Sequence, residues 1–303
     1  MTPSPQAGTP AGDVVLAIQR LARTSGADVQ ELMILHCLEG LLARIAASGH
    51  RRDFVLKGGV LLAAFAIRRP TKDIDLRATN INNDVSDVAA RIAAITELDL
   101  LDGVRFDPAS VKATVIRDGS EYAGVRIKLV AHLGRARLTI GVDVNFGDPI
   151  LPDPELIEIP RIVSLGQPPV VILGYPLTMV LAEKIVTAID RGTANTRWRD
   201  FADIYALARL HTVAAADLRS SLETVADHRR VSLQPLMPAL SEMPDFAQSK
   251  WRGWRRRTGQ EAGLPERFAE VLAAVAGFAD PVLHELAAGR WQPGLWRWET
   301  AKP

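Results

Sequence analysis

Three aspartates in this sequence have the spacing and surroundings of metal ligands. Asp73 and Asp75 flank Ile74 in the stretch KDIDLRAT, whose apolar residues predict a strand. Residues two apart in a strand point to the same face, so these carboxylates converge and repel each other unless a cation lies between them. Asp143 stands alone in the apolar strand pattern GVDVNFG, where burying an acid is costly unless it is paired or bound to a metal. We therefore predict that all three aspartates bind a divalent metal.

A glycine turn precedes these acids. The stretch LKGG ends a short strand and leads into a helical pattern. Gly58 and Gly59 allow close approach of the backbone to a ligand, and the N–H groups at the start of the helix can bind phosphate. Three carboxylates on two strands beside such a turn are typical of a two-metal phosphoryl-transfer centre.

The order of these pieces resembles the nucleotidyltransferase superfamily of the DNA polymerase β type, which has a glycine turn, an Asp-x-Asp strand and a later strand with a third acid. A more specific resemblance lies in YPLTMVLAEKIVTAIDRGTANTRWRDFADIYAL, residues 175–207. Together with KGG and TKDIDL, this stretch is similar to the AbiEii/AbiGii toxin family, which includes the MenT toxins. The spacer GTANTRW departs from the family pattern and alters the loop between the two motif helices.

The resemblance implies a toxin-like nucleotidyltransferase that uses Mg²⁺, or Mn²⁺ in its place, to transfer a nucleoside monophosphate from an NTP to RNA. It favours the 3′ end of tRNA as acceptor, with inhibition of translation as the result, and it implies a cognate antitoxin protein. Gly58 and Gly59 would hold the triphosphate. Lys184 would contact the nucleotide phosphates, and Asp200 and Asp203 would orient the site.

Cations near these motifs supply the remaining candidate ligands. Lys57 precedes the glycine turn, and Arg191 lies seven residues after Lys184, on the same face of a predicted helix. The formal net charge is only +1, from 36 Lys plus Arg against 35 Asp plus Glu, so RNA requires a local basic surface. The predicted RNA-binding residues are Arg69, Arg197, Arg199 and Arg255. Arg255 belongs to the run KWRGWRRR, which is equally consistent with a helix whose tryptophans pack inside.

Structural and functional alternatives remain open. The structural alternatives are an edge-strand charge for Asp73 and Asp75, an ion pair of Asp143 with Arg126 or Lys128, an ion pair of Lys184 with Asp203, a helix-start charge for Asp200, and a solvated strand end for Lys57. The functional alternatives are transfer to a protein or small molecule, a non-catalytic nucleotide-binding module, and a metal-dependent glycosyltransferase.

The pattern along the chain predicts an α+β fold with a nucleotidyltransferase-type mixed or antiparallel sheet and flanking helices, followed by an all-helical C-terminal half. We predict a disordered arm over residues 1–12, a nucleotidyltransferase domain with leading helices over 13–174, and a helical domain over 175–303. IPRIVSL and PPVVIL are predicted short edge strands because of their prolines. The single cysteine, Cys37, and the lack of a bilayer-spanning apolar run predict a cytoplasmic protein without membrane contact.

Overall fold

The computed structural model describes residues 6–116 and 124–299. The chain divides into two compact units, which are described separately. The first contains Met1–Gly147 and Glu155–Tyr175, and the second contains Asp148–Pro154 and Pro176–Pro303. The second unit thus includes a short segment from before residue 174, because Leu151 accepts a hydrogen bond of 2.7 Å from the Ser221 hydroxyl.

The first unit is built on a seven-stranded mixed sheet. Its strands are β1 (Phe54–Lys57), β2 (Asp73–Ala78), β3 (Val104–Ile116), β4 (Gly124–Leu133), β5 (Ala136–Asn145), β6 (Glu155–Ile159) and β7 (Val170–Gly174). The spatial order is β3-β4-β5-β2-β1-β7-β6. The pairs β2–β5 and β1–β7 are parallel and the other pairs are antiparallel. This arrangement confirms the predicted fold class.

Four helices accompany the sheet: α1 (Pro10–Ser25), α2 (Val29–Ala47), the short α3 (Gly58–Leu61), which continues as a 3-10 turn, and α4 (Val85–Thr96). Helix α1 begins inside the predicted disordered arm, because the Thr9 side chain caps it by accepting a hydrogen bond from the Gly12 N–H. Residues 1–5 of that predicted arm lie outside the described residues.

The core lies on one face of the sheet. Ile74, Leu76 and Ala78 of β2 are buried, and they alternate with more exposed residues. Helix α2 packs against β4, β5 and β7, and α4 packs against β3. Cys37 of α2 is fully buried, and burial raises the pKa of its thiol to about 12, so it is an inert core residue.

Two strand predictions require correction. IPRIVSL does not form a strand, because β6 ends at Ile159 and the next residue, Pro160, has no N–H to donate. PPVVIL contains β7, which is an interior strand between β1 and β6 and not an edge strand. The two prolines precede β7, so every residue of this strand has a backbone N–H that can donate a hydrogen bond within the sheet.

The second unit contains six α-helices among its described residues: α5 (Leu177–Arg191), α6 (Trp198–Leu210), α7 (Ala215–Arg229), α8 (Leu236–Leu240), α9 (Met243–Arg257) and α10 (Phe268–Leu283). The predicted C-terminal helices are therefore present. A small hairpin of β8 (Arg290–Gln292) and β9 (Arg297–Glu299) follows them. Its Trp291 is fully buried and donates a hydrogen bond of 2.7 Å to the Ala208 carbonyl. Among the described residues, no helix has both the length and the apolar character needed to cross a bilayer.

Candidate active site

The sheet face opposite the core carries the predicted acids. Asp73 and Asp75 point away from buried Ile74, and Asp75 is paired directly with Asp143 of the neighbouring parallel strand. Directly paired residues project from the same face, so strand alternation brings all three carboxylates onto one surface. Strand β2 lies between β5 and β1, which excludes the edge-strand alternative for its two acids.

Two glycines make room for these carboxylates. Gly58 has φ +71, and a Cβ atom added there would overlap Asp75 Oδ2 and lie 2.6 Å from Asp75 Cγ. Gly141, opposite Asp73, would bring a Cβ atom into Asp73 Oδ1 and to 2.9 Å from Asp73 Cγ. Glycine is therefore required at 58 for its backbone conformation and for space, and at 141 for space. We did not predict a role for Gly141, although a glycine inside a strand is a signal of close approach.

The glycine turn also collects basic residues. The Arg69 guanidinium and the Thr71 hydroxyl pack over Gly59, where an added Cβ atom would lie 3.3 Å from Arg69 Nη2 and 2.9 Å from Thr71 Oγ1. Arg69, a predicted RNA-binding residue, thus lies beside the predicted triphosphate turn. Lys57 is only 8% exposed, lies directly across from Asp75, and places its ammonium 5.3 Å from the centre of the Tyr175 ring. This burial excludes the solvated-strand alternative for Lys57.

Asp143 is held by an arginine. Arg126 Nε and Nη2 donate to the two carboxylate oxygens at 2.8 and 2.6 Å, as the structural alternative anticipated. These hydrogen bonds and the charge of Asp143 raise the pKa of Arg126, and the charges of Asp73 and Asp75 contribute in the same direction. Arg126 is therefore the cation that lies nearest to Asp143 and also interacts with the acid pair.

The carboxylates partly fit a divalent metal. Asp73 and Asp75 provide the hard oxygen donors that Mg²⁺ prefers, on a strand that holds them side by side. Within residues 6–116 and 124–299, however, no group of three acidic, His or Cys side chains is arranged to hold an ion. Both oxygens of Asp143 accept hydrogen bonds from Arg126. Asp73 and Asp75 therefore fit a metal, and Arg126 competes with a metal for Asp143.

The predicted residues of the second unit form a buried ion-pair cluster. Lys184 Nζ lies 2.7 Å from Asp203 Oδ2 and 3.3 Å from Asp200 Oδ1. Arg197 Nε lies 3.1 Å from the other oxygen of Asp200. Lys184, Asp200 and Asp203 are all at most 9% exposed. The Lys184–Asp203 pair of the structural alternative is thus present, with Asp200 as a second partner.

The remaining predicted cations are not part of this cluster. Arg191 and Arg199 are exposed, and Arg191 makes no ion pair within the part of the chain that the structure describes. Arg255 requires a correction. It is 6% exposed, and its Nη2 donates to the carbonyls of Glu261 and Leu264 at 2.7 and 2.9 Å. Its guanidinium therefore holds the following loop and is unavailable to RNA, which favours the packed-helix alternative for this run.

The mixed sheet, the glycine turn and the adjacent Asp-x-Asp strand define a nucleotidyltransferase. Residues 40–274 match the family described as nucleotidyl transferase AbiEii toxin of type IV toxin–antitoxin systems. This match covers most of the chain, which therefore belongs to the AbiEii family.

Solved structures show the same fold. MenT4, a nucleotidyltransferase toxin from Mycobacterium tuberculosis H37Rv, superimposes with a TM-score of 0.58 at 17% identity over 92% of each chain. JHP933 from Helicobacter pylori gives a TM-score of 0.51 at 14% identity over 85% of this chain and 93% of its own. Among curated proteins, none shows significant sequence similarity to the chain.

Proposed function

We propose that this enzyme transfers a nucleoside monophosphate from an NTP to the 3′ end of an RNA, with tRNA as the favoured acceptor and Mg²⁺ or Mn²⁺ as the metal. The observation that carries the proposal is the contact of the Asp75 carboxylate with the Gly58 turn. It places a metal-binding acid beside a backbone that can hold phosphate. The AbiEii family and the name of MenT4 support toxin activity, and the family's type IV toxin–antitoxin system supports a cognate antitoxin as partner. We further propose translation as the target of the toxin and the cytoplasm as its location.

In the proposed reaction, the 3′-hydroxyl oxygen of the acceptor forms a bond to the α-phosphorus of the NTP. The bond between that phosphorus and the oxygen bridging to the β-phosphate breaks, and pyrophosphate leaves. Gly58 and Gly59 hold the triphosphate through their N–H groups, and Asp73 and Asp75 hold the metal. When bound, the metal activates the hydroxyl and neutralises charge on the leaving group.

Asp143 is the candidate acceptor for the hydroxyl proton. Both of its oxygens accept hydrogen bonds from Arg126, and each retains a lone pair that can accept from a hydroxyl. Arg126 is 50% exposed and has the freedom to turn toward solvent or toward an anionic substrate. Movement of Arg126 away from Asp143 therefore opens more of the carboxylate to the hydroxyl.

Purified protein incubated with bulk tRNA and each α-labelled NTP in turn tests the proposal. We expect label in RNA with Mg²⁺ or Mn²⁺ present, and a loss of orders of magnitude in Asp73→Asn and Asp75→Asn, with the exposed Asp217→Asn as matched control. The melting temperature without metal should hold or rise in both site variants, because repulsion between the acids is relieved. A large fall would show that the pair is structural, and label in protein or small molecules would replace the RNA acceptor.

Lys184 provides a second test. A compact ammonium near the β- and γ-phosphates stabilises the charge that develops on pyrophosphate, so Lys184→Met should reduce turnover by orders of magnitude. The substitution also removes the buried ammonium that pairs with Asp200 and Asp203, so folding is verified by thermal denaturation. A folded variant with unchanged turnover would assign Lys184 to the ion-pair cluster alone.

A further inference from the structure

The acid-bearing face of the sheet continues outward as a basic surface. Here "basic face" means the side of β3, β4 and β5 that lies on the same face of the sheet as Asp73 and Asp75. It carries five exposed cations, Arg105, Lys112, Arg126, Lys128 and Arg137. Among the described residues of these strands, only Asp107 and Asp143 are acids on this side. The opposite side of β4 and β5 is buried core, so the charges of these strands are concentrated on the one face that also carries the carboxylates.

Two of these cations form a like-charge pair. Lys112 and Lys128 are directly opposite each other on antiparallel strands. Like charges in such positions destabilise a sheet. Neither lysine makes an ion pair within the described ranges, and both are exposed. An anion bound between the two ammonium groups would offset this repulsion, which makes the pair a candidate phosphate contact.

The basic face and the glycine turn lie on opposite sides of the acids. Register places Lys112, Lys128, Gly141 and Asp73 in one row across four strands. Gly58 follows β1, the strand on the other side of β2. In phosphoryl transfer the attacking and leaving oxygens are roughly in line on opposite sides of the phosphorus. If the triphosphate occupies the glycine turn, the attacking acceptor approaches from the side of the basic face.

We infer that the basic face binds the phosphate backbone of the RNA acceptor and that Lys112 and Lys128 are two of its phosphate contacts. This inference rests on the proposed function, which supplies the RNA acceptor. Neighbouring strands are about 4.8 Å apart, so Lys128 lies about 10 Å and Lys112 about 14 Å from the strand of Asp73. Both ammonium groups are therefore close enough to hold the nucleotides that precede a reactive 3′ end.

Fluorescence anisotropy of a 5′-labelled single-stranded RNA, measured without NTP from about 50 to about 200 mM salt, tests the inference. The variant is Lys112→Gln/Lys128→Gln. Its matched control is Arg20→Gln/Arg23→Gln, which removes two exposed charges from α1. Each lost single-strand phosphate contact lowers the log–log salt slope by about 0.7, so we expect a decrease of about 1.4 and about tenfold weaker binding at low salt. The control should change neither quantity.

Two further measurements separate the possible failures. NTP binding by the lysine double variant should equal that of wild type, and its melting temperature should rise, because the like-charge pair is gone. RNA binding with an unchanged salt slope would overturn the inference and leave the proposed function standing. A wild-type protein that binds no RNA yet transfers nucleotide to a protein or small molecule would overturn both. Weaker binding accompanied by a lower melting temperature would assign the lysines a structural role and also overturn the inference.

Discussion

Replacing Arg126 by methionine should make the acid group a better metal site. In the structure the Arg126 guanidinium donates to both oxygens of Asp143 at 2.8 and 2.6 Å. A metal that uses Asp143 therefore competes with Arg126 for these oxygens. Without the guanidinium, three carboxylates face one surface with less compensation, so the metal-free protein should melt at a lower temperature.

The exposure of the pair sets the expected magnitude. The Arg126 side chain is 50% exposed and that of Asp143 is 15% exposed, so solvent screens their attraction. Half-exposed pairs with good geometry contribute about 1 kcal/mol. If displacement of Arg126 costs this amount, its removal tightens metal binding by about fivefold, since about 1.4 kcal/mol corresponds to tenfold.

Mn²⁺ titration followed by electron paramagnetic resonance of the free ion measures this affinity without NTP, RNA or turnover. Arg126→Met should bind about fivefold more tightly, while Lys128→Met, which removes the next exposed cation of β4, should bind like wild type. Asp143→Asn should have little effect when Arg126 is present and should weaken binding about fivefold in the Arg126→Met background. Equal effects of Asp143→Asn in both backgrounds, or no tightening in Arg126→Met, would refute the competition between Arg126 and the metal.

Three substitutions test the glycine contact and the core of the first unit. Gly141→Ala should abolish transfer by displacing Asp73, whereas Gly277→Ala, at an open helical position, should retain activity and gain up to about 1 kcal/mol in urea denaturation. Arg44→Met should lower the free energy of unfolding by about 3–5 kcal/mol in the same assay, because it leaves the buried carboxylate of Asp102 without the arginine that pairs with it. Burial lowers the pKa of His36 from 6.5, so on acidification His36 is protonated in the unfolded state before it is protonated in the folded state. Stability therefore falls as the pH drops below 6.5. His36→Gln should remove that part of the pH dependence.

Each of these expectations has a contrary outcome. Wild-type transfer by Gly141→Ala would show that Asp73 tolerates displacement or does not take part in the reaction. A loss near zero for Arg44→Met would show that its hydrogen bonds to the carbonyls of Gly40, Leu98 and Val104 are replaced by water. If the stability of His36→Gln falls below pH 6.5 as steeply as that of the wild type, other groups cause the pH dependence.

The sequence was sufficient for features that depend on local pattern. The alternation of β2 places Asp73 and Asp75 on one face without knowledge of any partner strand. The helical periods of α1 and α2 are likewise contained in their own residues. The location of the glycine turn follows from the end of a strand pattern at Lys57. These local features of the fold were predicted correctly.

Features that depend on the register between strands could not be predicted from the sequence pattern of any one strand. Gly141 makes room for Asp73 only because β2 and β5 are parallel in one particular register. Register also decides whether Arg126 or Lys128 pairs with Asp143. Both residues lie on the same face of β4, and only the pairing of β4 with β5 places Arg126 opposite Asp143. The helical run around Arg255 mixes arginines and tryptophans, and only the packing of the helix shows that this guanidinium is buried.

The basic face shows most clearly why register matters. Its cations lie between residues 105 and 137 on three strands, and along each strand they have the polar alternation of any solvated sheet. Only the cross-strand pairing brings Lys112 opposite Lys128 and aligns both with Asp73. A net charge of +1 for the whole chain gives no indication of such a surface.

The two faces of this sheet obey different rules. On the core face of β2, β4 and β5, apolar residues alternate regularly and are almost fully buried, as stability alone requires. The other face contains a pair of convergent acids, a like-charge lysine pair and a glycine inside β5, each of which weakens a sheet when considered by itself. Natural sequences retain such departures mainly where function requires them. Their concentration on one face, in adjoining rows of the same strands, is an independent physical reason to locate the reaction there.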